Sequence, residues 1–316
     1  MTRPWEKYKV GPTSSGALGS DSCRPLEQLY HVAHLKTAVR ILEDGKIKQS
    51  LIYDKSKLNK DRILVCWLSP NFWANGSRYG NISFEFEFAP LVKHKNYYWV
   101  ESINYTPDAC RILITEKDYD GILERYDPTD GKGPWFFDKA SNTHYWNGKY
   151  CLEFMFEQDM SLRHAIEIDF VKHHGRYCNL GFDDCKDRLD SDQKINARFI
   201  SYILSNNTQL KKGLLTKENR YGIAPSNSLS DALENIVGLL YDRGKFKMIR
   251  GNLKEGDASA KTIVRSALYH RYLGDKDSFR QLAALFENID EFTKVLKELV
   301  IEKFEIVQKN LRFLND

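Results

Sequence analysis

The apolar residues change period near Lys186, and that change limits the architectures open to the chain more than any other feature. From Leu26 to about Ile168, runs with strand character (ILVCWLS, NISFEFEF, NYYWVESINY, YCLEFMF) alternate with brief helical ones, KTAVRILEDG and TEKDYDGILERY. Beyond Lys186 the segments INARFISYILSNN, SLSDALENIVGLLYDRGKF, SAKTIVRSALYHRYL and a last stretch over residues 277–313 place apolar residues at helical spacing, several opening on Ser or Asp suited to N-caps. The expected fold class is α+β: a domain of antiparallel strands over residues 26–185, an all-helical C-terminal module over 186–316, and a loosely attached, flexible arm over 1–25, where Gly, Ser and Pro interrupt any period.

With 316 residues, 42% hydrophobic and 28% charged, the chain has apolar material for one large core or two smaller ones. Its 47 Lys+Arg against 43 Asp+Glu, net +4, permit an anionic partner without demanding one. No stretch approaches the roughly 18–20 apolar residues of a membrane span, and the first residues lack a signal-peptide apolar core, so the expected location is cytoplasmic, with no membrane partner. Six cysteines spread over a long chain fit reduced thiols or a metal site better than a disulfide framework. His174, Cys178 and Cys185, with Cys151 or His173 as a fourth ligand, are a weak zinc candidate at an uncommon spacing; buried thiols beside a hydrogen-bonded histidine pair are the expected alternative, and no metal is called for.

Three separated segments carry the chemistry. In the first, a strand end bears Tyr30, His31 and Ala33, and a short helix with Ala38, Ile41 and Leu42 follows, closed by Gly45. The second is a strand ending Trp67-Leu68-Ser69, then a polar loop to Arg78-Tyr79-Gly80. The third is Tyr150-Cys151-Leu152-Glu153-Phe154-Met155-Phe156, a strand with one carboxylate on the face opposite its flanking apolar neighbours. Taken singly, His31 reads as a satisfied strand-end histidine, Trp67 and Tyr79 as core or edge aromatics, and Glu153 as the solvent-facing residue of an amphipathic strand, with Glu157 an obvious rival.

Together the three segments resemble the ADP-ribosyltransferase superfamily in its His-Tyr-Glu branch, which includes poly(ADP-ribose) polymerases, diphtheria-like toxins and nucleic-acid-targeting bacterial toxins of the DarT and CmdT type. His31, Ile41-Leu42 and Gly45 stand at the family's spacing. Trp67-Leu68-Ser69 and Tyr79 resemble its second motif, and Glu153-Phe154-Met155-Phe156 with Leu162 and Ile166 its third. Two departures are Trp67 in place of a tyrosine and Val32 in place of the glycine after the histidine. The resemblance implies a split antiparallel β-sheet core and NAD as the consumed donor of ADP-ribose. It implies that His31 bonds a ribose hydroxyl, that Trp67 and Tyr79 sandwich the nicotinamide, with Tyr30, Ala33, Ser69 and Arg78 beside them, and that Glu153 holds the ribose next to the scissile bond. Cleaving that bond builds an oxocarbenium-like cation, which a fixed carboxylate stabilises more in the transition state than in the ground state.

In this fold the segment before the glutamate strand chooses the acceptor. Residues 126–149 carry Trp135, Phe136, His144, Tyr145, Trp146 and Lys149, rings with hydrogen-bonding partners suited to stacking on unpaired bases; an aromatic mini-core under a long loop is the competing reading. The expected activity is mono-ADP-ribosyl transfer from NAD to a base of RNA or single-stranded DNA, as in a toxin–antitoxin or phage-defence system, with a protein antitoxin as a further partner. A protein acceptor, and a non-catalytic binding module on the same fold, are the alternatives.

Overall fold

A computed structural model of the chain describes residues 2–9, 23–52, 54–71, 79–80, 82–104, 108–170, 200 and 289–311. Its elements run β1 (Cys23–Pro25), β2 (Gln28–Ala33), α1 (Leu35–Asp44), β3 (Lys46–Ile47), α2 (Lys57–Lys60), β4 (Cys66–Leu68), β5 (Ile82–Glu87), α3 (Phe88–Val92), β6 (Asn96–Ile103), β7 (Ala109–Thr115), β8 (Glu124–Arg125), β9 (Trp135–Asp138), β10 (Thr143–Asn147), β11 (Cys151–Phe156), β12 (Met160–Ser161), β13 (Ala165–Phe170) and α4 (Ile289–Leu311). The chain is mixed α+β, with mostly antiparallel sheets and a C-terminal helix. The helical segments read over 195–207, 228–246 and 259–273 lie outside the described residues, apart from the helical Ile200. No helix among the described residues is long and apolar enough to cross a membrane.

Two compact units divide the chain: Met1–Val32 with Lys46–Trp73 and Ser83–Glu167, and Ala33–Gly45 with Ala74–Ile82 and Ile168–Asp316. Both are discontinuous in sequence, where the pattern of periods gives contiguous segments. The frame of the first unit is a five-stranded sheet in the order β4-β11-β7-β6-β8. One pair in it, β11 with β7, is parallel, which departs from the all-antiparallel expectation. Parallel neighbours need a long crossover, and residues 116–150, holding β8 and the β9–β10 hairpin, supply it. Every residue of β7 is buried, so its sequence ACRILIT reads as a continuous run without alternation.

The two faces of this sheet are closed differently. On one, Phe154 meets Phe88 and Trp135 at ring separations of 5.0 and 5.4 Å, Trp135 stacks on Tyr126 at 5.8 Å, and Trp5 packs on Tyr126 and Trp99. Each large apolar side chain buried this way is worth roughly 1.5–3 kcal/mol. On the other, Met155, Leu113, Tyr98 and Val100 pack with Leu58, Ile63 and Val65, and Trp67 leans against them half-buried.

Residues 2–9 correct the expectation of a loose arm at that end of the chain. Trp5 is fully buried, Tyr8 is 3% exposed, and Asn147 Nδ2 donates to the carbonyls of Tyr8 and Lys9. Two large rings outweigh the Gly- and Ser-rich text that follows them. The fit is tight: Gly133, at φ +124°, passes so close that a Cβ there would lie 2.4 Å from the Tyr126 hydroxyl and 2.8 Å from the Trp5 ring.

In the second unit, α1 buries Ala38, Val39, Ile41 and Leu42 and ends at Gly45, which takes the left-handed conformation at φ +66° as the sequence leads one to expect. Asn310 of α4 donates to the carbonyls of Leu42 and Glu43, and Lys303 pairs with Glu43 at 2.7 Å. Phe304, Val307 and Leu311, spaced along one stripe of α4, are buried.

Candidate functional site

In the first unit β4, which bears Trp67, pairs with β11, which bears Glu153, while β2, which bears His31, belongs to the separate sheet β13-β5-β2 and meets the end of β4 through one backbone bridge. Tyr30 and Ser69 exchange backbone hydrogen bonds of 2.8 and 3.0 Å, tying β2 to the end of β4. β4 pairs with β11 in the register Leu68↔Phe154 and Trp67↔Met155. Period two then puts Glu153 on the same face as Met155 and Trp67. Tyr30 and Ser69 are themselves buried, at 8% and 0% exposure, and serve as the tie between strands. The Tyr30 hydroxyl donates to Gln28 at 3.0 Å, and burial, with Glu85 and Glu167 adding to it, pushes that phenol well up.

His31 Nδ1 lies 2.8 Å from the Trp67 carbonyl oxygen, which can only accept, so Nδ1 carries the proton and the neutral ring leaves Nε2 as an acceptor. Burial lowers the pKa of this imidazole, and the Trp67 carbonyl works partly against it. The ring lies edge-on to Trp67 at 6.5 Å. His31 is thus a neutral acceptor fixed by one nitrogen, half-buried beside an indole.

Glu153 is 2% exposed, which overturns the reading of it as the solvent-facing residue of its strand. Its Oε2 accepts from Arg111 Nε at 2.7 Å, and Oε1 takes no hydrogen bond among the described residues. Arg111 stands opposite Glu153 in the β11–β7 register and opposite Glu101 in the β6–β7 register. Its Nη1 and Nη2 donate to both oxygens of Asp54 at 2.9 and 2.7 Å, and Nη1 also reaches Glu101 at 3.2 Å. Ser56, the N-cap of α2, donates to Glu101 at 2.5 Å and accepts from the Leu58 amide. Burial opposes the charge on Arg111, and the bonds and charges of Asp54 and Glu153 more than offset it, holding its pKa above the ordinary value. In turn Arg111 holds the Asp54 carboxyl below its usual range against partial burial.

A β-bulge aims Glu101 into this row. Trp99 pairs with Ile112 and Glu101 with Arg111, so Val100 is the extra residue; in an unbroken register residue 100 would face Arg111 and Glu101 would turn to the aromatic face. Arg111, Asp54 and Glu101 were not found by sequence reasoning. The available signal was a lone arginine inside the apolar run ACRILIT, a place where a charge needs partners. Glu157, the rival of Glu153, lies past the end of β11 and is bound by Thr115 Oγ1, Lys117 Nζ and Tyr119 Oη at 2.6, 2.6 and 2.9 Å.

Other expected contacts are distributed differently. Ala33 and Tyr79 belong to the second unit, where Gly80 lets the chain pass against the Ala33 carbonyl; a Cβ on Gly80 would sit 2.0 Å from the Ala33 carbonyl carbon. Arg78, and His174, Cys178 and Cys185 of the weak zinc candidate, lie outside the described residues. No group of three His, Cys, Asp or Glu able to hold a metal occurs among the described residues.

Of the proposed acceptor contacts, Trp135 and Trp146 are core residues, at 0% and 5% exposure. Trp135 Nε1 donates to His144 Nδ1 at 3.1 Å, and burial pushes the His144 pKa down to about 4, so this ring is neutral. The hairpin register explains the division: Trp135↔Trp146 and Phe137↔His144 share the core face, whereas Phe136↔Tyr145 face the other way. Phe136 and Tyr145, both half-buried, and the exposed Lys149 are what the segment offers a partner. No family model matches the chain, and neither a curated protein nor a solved structure matches it.

Proposed function

We propose that the chain is an NAD-consuming mono-ADP-ribosyltransferase whose acceptor is a base of RNA or single-stranded DNA, working as a cytoplasmic toxin of a toxin–antitoxin or phage-defence system. The observation that carries this reading is that His31, on β2 tied to the end of β4 by the Tyr30–Ser69 bridge, and Glu153, on β11 paired with β4, each hold one polar atom fixed and leave another without a hydrogen bond among the described residues: Nε2 of His31 and Oε1 of Glu153. A neutral acceptor nitrogen, an indole edge and a buried carboxylate fit the ribose and nicotinamide of NAD. His31 Nε2 accepts from a ribose hydroxyl and orients it. The bond from C1′ to the nicotinamide nitrogen breaks with its electron pair leaving on nicotinamide, and the Glu153 carboxylate, shielded from water, stabilises the positive charge left on the ribose. The acceptor base attacks C1′ and gives up its proton to Glu153 or to solvent. Phe136 and Tyr145 supply ring faces for an unstacked base, with Lys149 near enough in sequence to serve a phosphate.

One observation favours a second reading. A carboxylate buried in an ion pair is also what a purely structural salt bridge looks like, and on that reading the fold is a binding module that leaves NAD intact. Labelled NAD incubated separately with total RNA, single-stranded DNA and protein, for wild type and Glu153→Gln, separates the possibilities. Transfer to nucleic acid that vanishes in the variant is the expected result. Label on protein alone changes the acceptor class, and no label anywhere selects the binding module.

A further inference from the structure

We infer that Arg111 is a positioning residue for Glu153, a role that rests on the transferase reading above: its guanidinium fixes Oε2 and so decides that Oε1 is the atom turned to the ribose. Neutralising one buried carboxylate needs one cation, yet this cation is gripped by three carboxylates, Glu153, Asp54 and Glu101, leaving two negative charges in excess. Four of its five N–H donors are used, Nε on Glu153 and the Nη atoms on Asp54 and Glu101. Each grip comes from a different element: β11, the loop before α2, and the bulged end of β6. Such a set fixes orientation as well as charge, because the guanidinium plane can satisfy the Asp54 fork and Glu153 at once in only one attitude. Arg111 is 4% exposed and Glu153 2%, so the pair holds its geometry away from competing water. The Val100 bulge serves the same end, since without it Glu101 would face away.

Lysine keeps the charge of Arg111 but is a point donor, unable to hold Glu153 and the Asp54 fork together. The test is nicotinamide release from NAD, with NAD affinity measured separately by calorimetry and folding followed by thermal melts, for wild type, Arg111→Lys, Asp54→Asn, Glu153→Gln and the Arg111→Lys/Glu153→Gln double variant. Arg111→Lys is expected to lower kcat about 100-fold, the effect of an ångström-scale misplacement, with NAD affinity within about twofold of wild type. The double variant is expected to be no slower than Glu153→Gln alone, because Arg111 acts through Glu153. Asp54→Asn, which keeps the Arg111–Glu153 bond and loosens the far side of the fork, is expected to lower kcat less, and it decides the question if Arg111→Lys fails to fold. A folded Arg111→Lys with unchanged kcat, or a double variant slowed by the product of the two single effects, overturns the positioning role while the transferase reading stands on the Glu153→Gln result. A wild type that releases no nicotinamide overturns both.

Discussion

The two faces of the five-stranded sheet are both covered, and they are closed by different means. The face of Phe154 is sealed by rings, with Phe88, Trp135, Tyr126, Trp99 and Trp5 in mutual contact. The face of Met155 packs a smaller aliphatic cluster and then gives its remaining positions to Glu153, Arg111 and Glu101. Rings gain free energy by burial alone, whereas the charged row must recover the cost of desolvation through geometry and at best approaches balance. A fold seeking only stability would close both faces with apolar side chains. On the proposed reading the charged face carries the function, and the ring face is the scaffold that supports it.

Removing a ring should break the scaffold. Trp135 touches Phe88, Tyr97, Tyr126, His144 and Phe154, and its Nε1 bonds His144. Trp135→Ala is expected to cost about 3–5 kcal/mol in chemical denaturation. A loss under about 1 kcal/mol would mean that the ring face does not dominate stability. The corresponding change on the charged face is milder: Glu153→Gln leaves Arg111 its bonds to Asp54 and Glu101, and the expected loss is about 1.5–3 kcal/mol, the value of a hydrogen bond to a charged group. The contrast sharpens if Glu153→Gln removes turnover while Trp135→Ala, assayed well below its melting temperature, retains it.

Acid should separate the faces in order. His144, on the ring face, falls from an unfolded value near 6.5 to about 4 through burial, so unfolding takes up a proton between those values and stability declines as pH falls through that window. His31, also lowered by burial, adds to the decline in the same sense. Asp54, on the charged face, is lowered below its ordinary 3.8 chiefly by its bonds to Arg111; the stability it contributes is present above that value and is lost only as pH falls through the lower folded one. Denaturation midpoints from pH 7 to 3 should therefore fall first through the histidines, and His144→Gln should flatten the decline between about pH 6.5 and 4. An unaltered profile in that variant would show that His144 is not held neutral.

Secondary structure was legible in the sequence, the contrast between the two faces was not, and the missing part has a physical reason. Strand character, the Gly45 helix end and the strands that carry His31, Trp67 and Glu153 follow from local periodicity and turn chemistry, which a single sequence carries, whereas grouping those three residues rested on a resemblance. Burial of Trp5 escaped because its partners, Trp99 and Tyr126, lie about a hundred residues away. The Arg111 row escaped for a related reason. Its members come from residues 54, 101, 111 and 153, aligned by a parallel pairing and a bulge that leave no periodic trace. Trp135 and Phe136 are adjacent letters on opposite faces, so an aromatic cluster read as one surface divides into a core half and a half-buried one once the hairpin register is set.

The smallest effect isolates the outer edge of the charged row. Ser56 caps α2 by accepting from the Leu58 amide and donates its own proton to Glu101, so one hydroxyl joins a helix end to the carboxylate that the bulge presents to Arg111. Ser56→Ala is expected to cost about 1 kcal/mol, the usual value of an N-cap. The Lys57 amide still holds Glu101 Oε2 at 3.1 Å, so the carboxylate keeps one anchor and the row survives. Turnover should then change far less than in Asp54→Asn, because Ser56 touches only the carboxylate with the longest bond to Arg111, 3.2 Å against 2.7 Å for Glu153. If Ser56→Ala instead slows the reaction as much as Asp54→Asn at equal folded fraction, the row transmits displacement from its rim, and the charged face is a coupled unit rather than a clamp with one decisive bond.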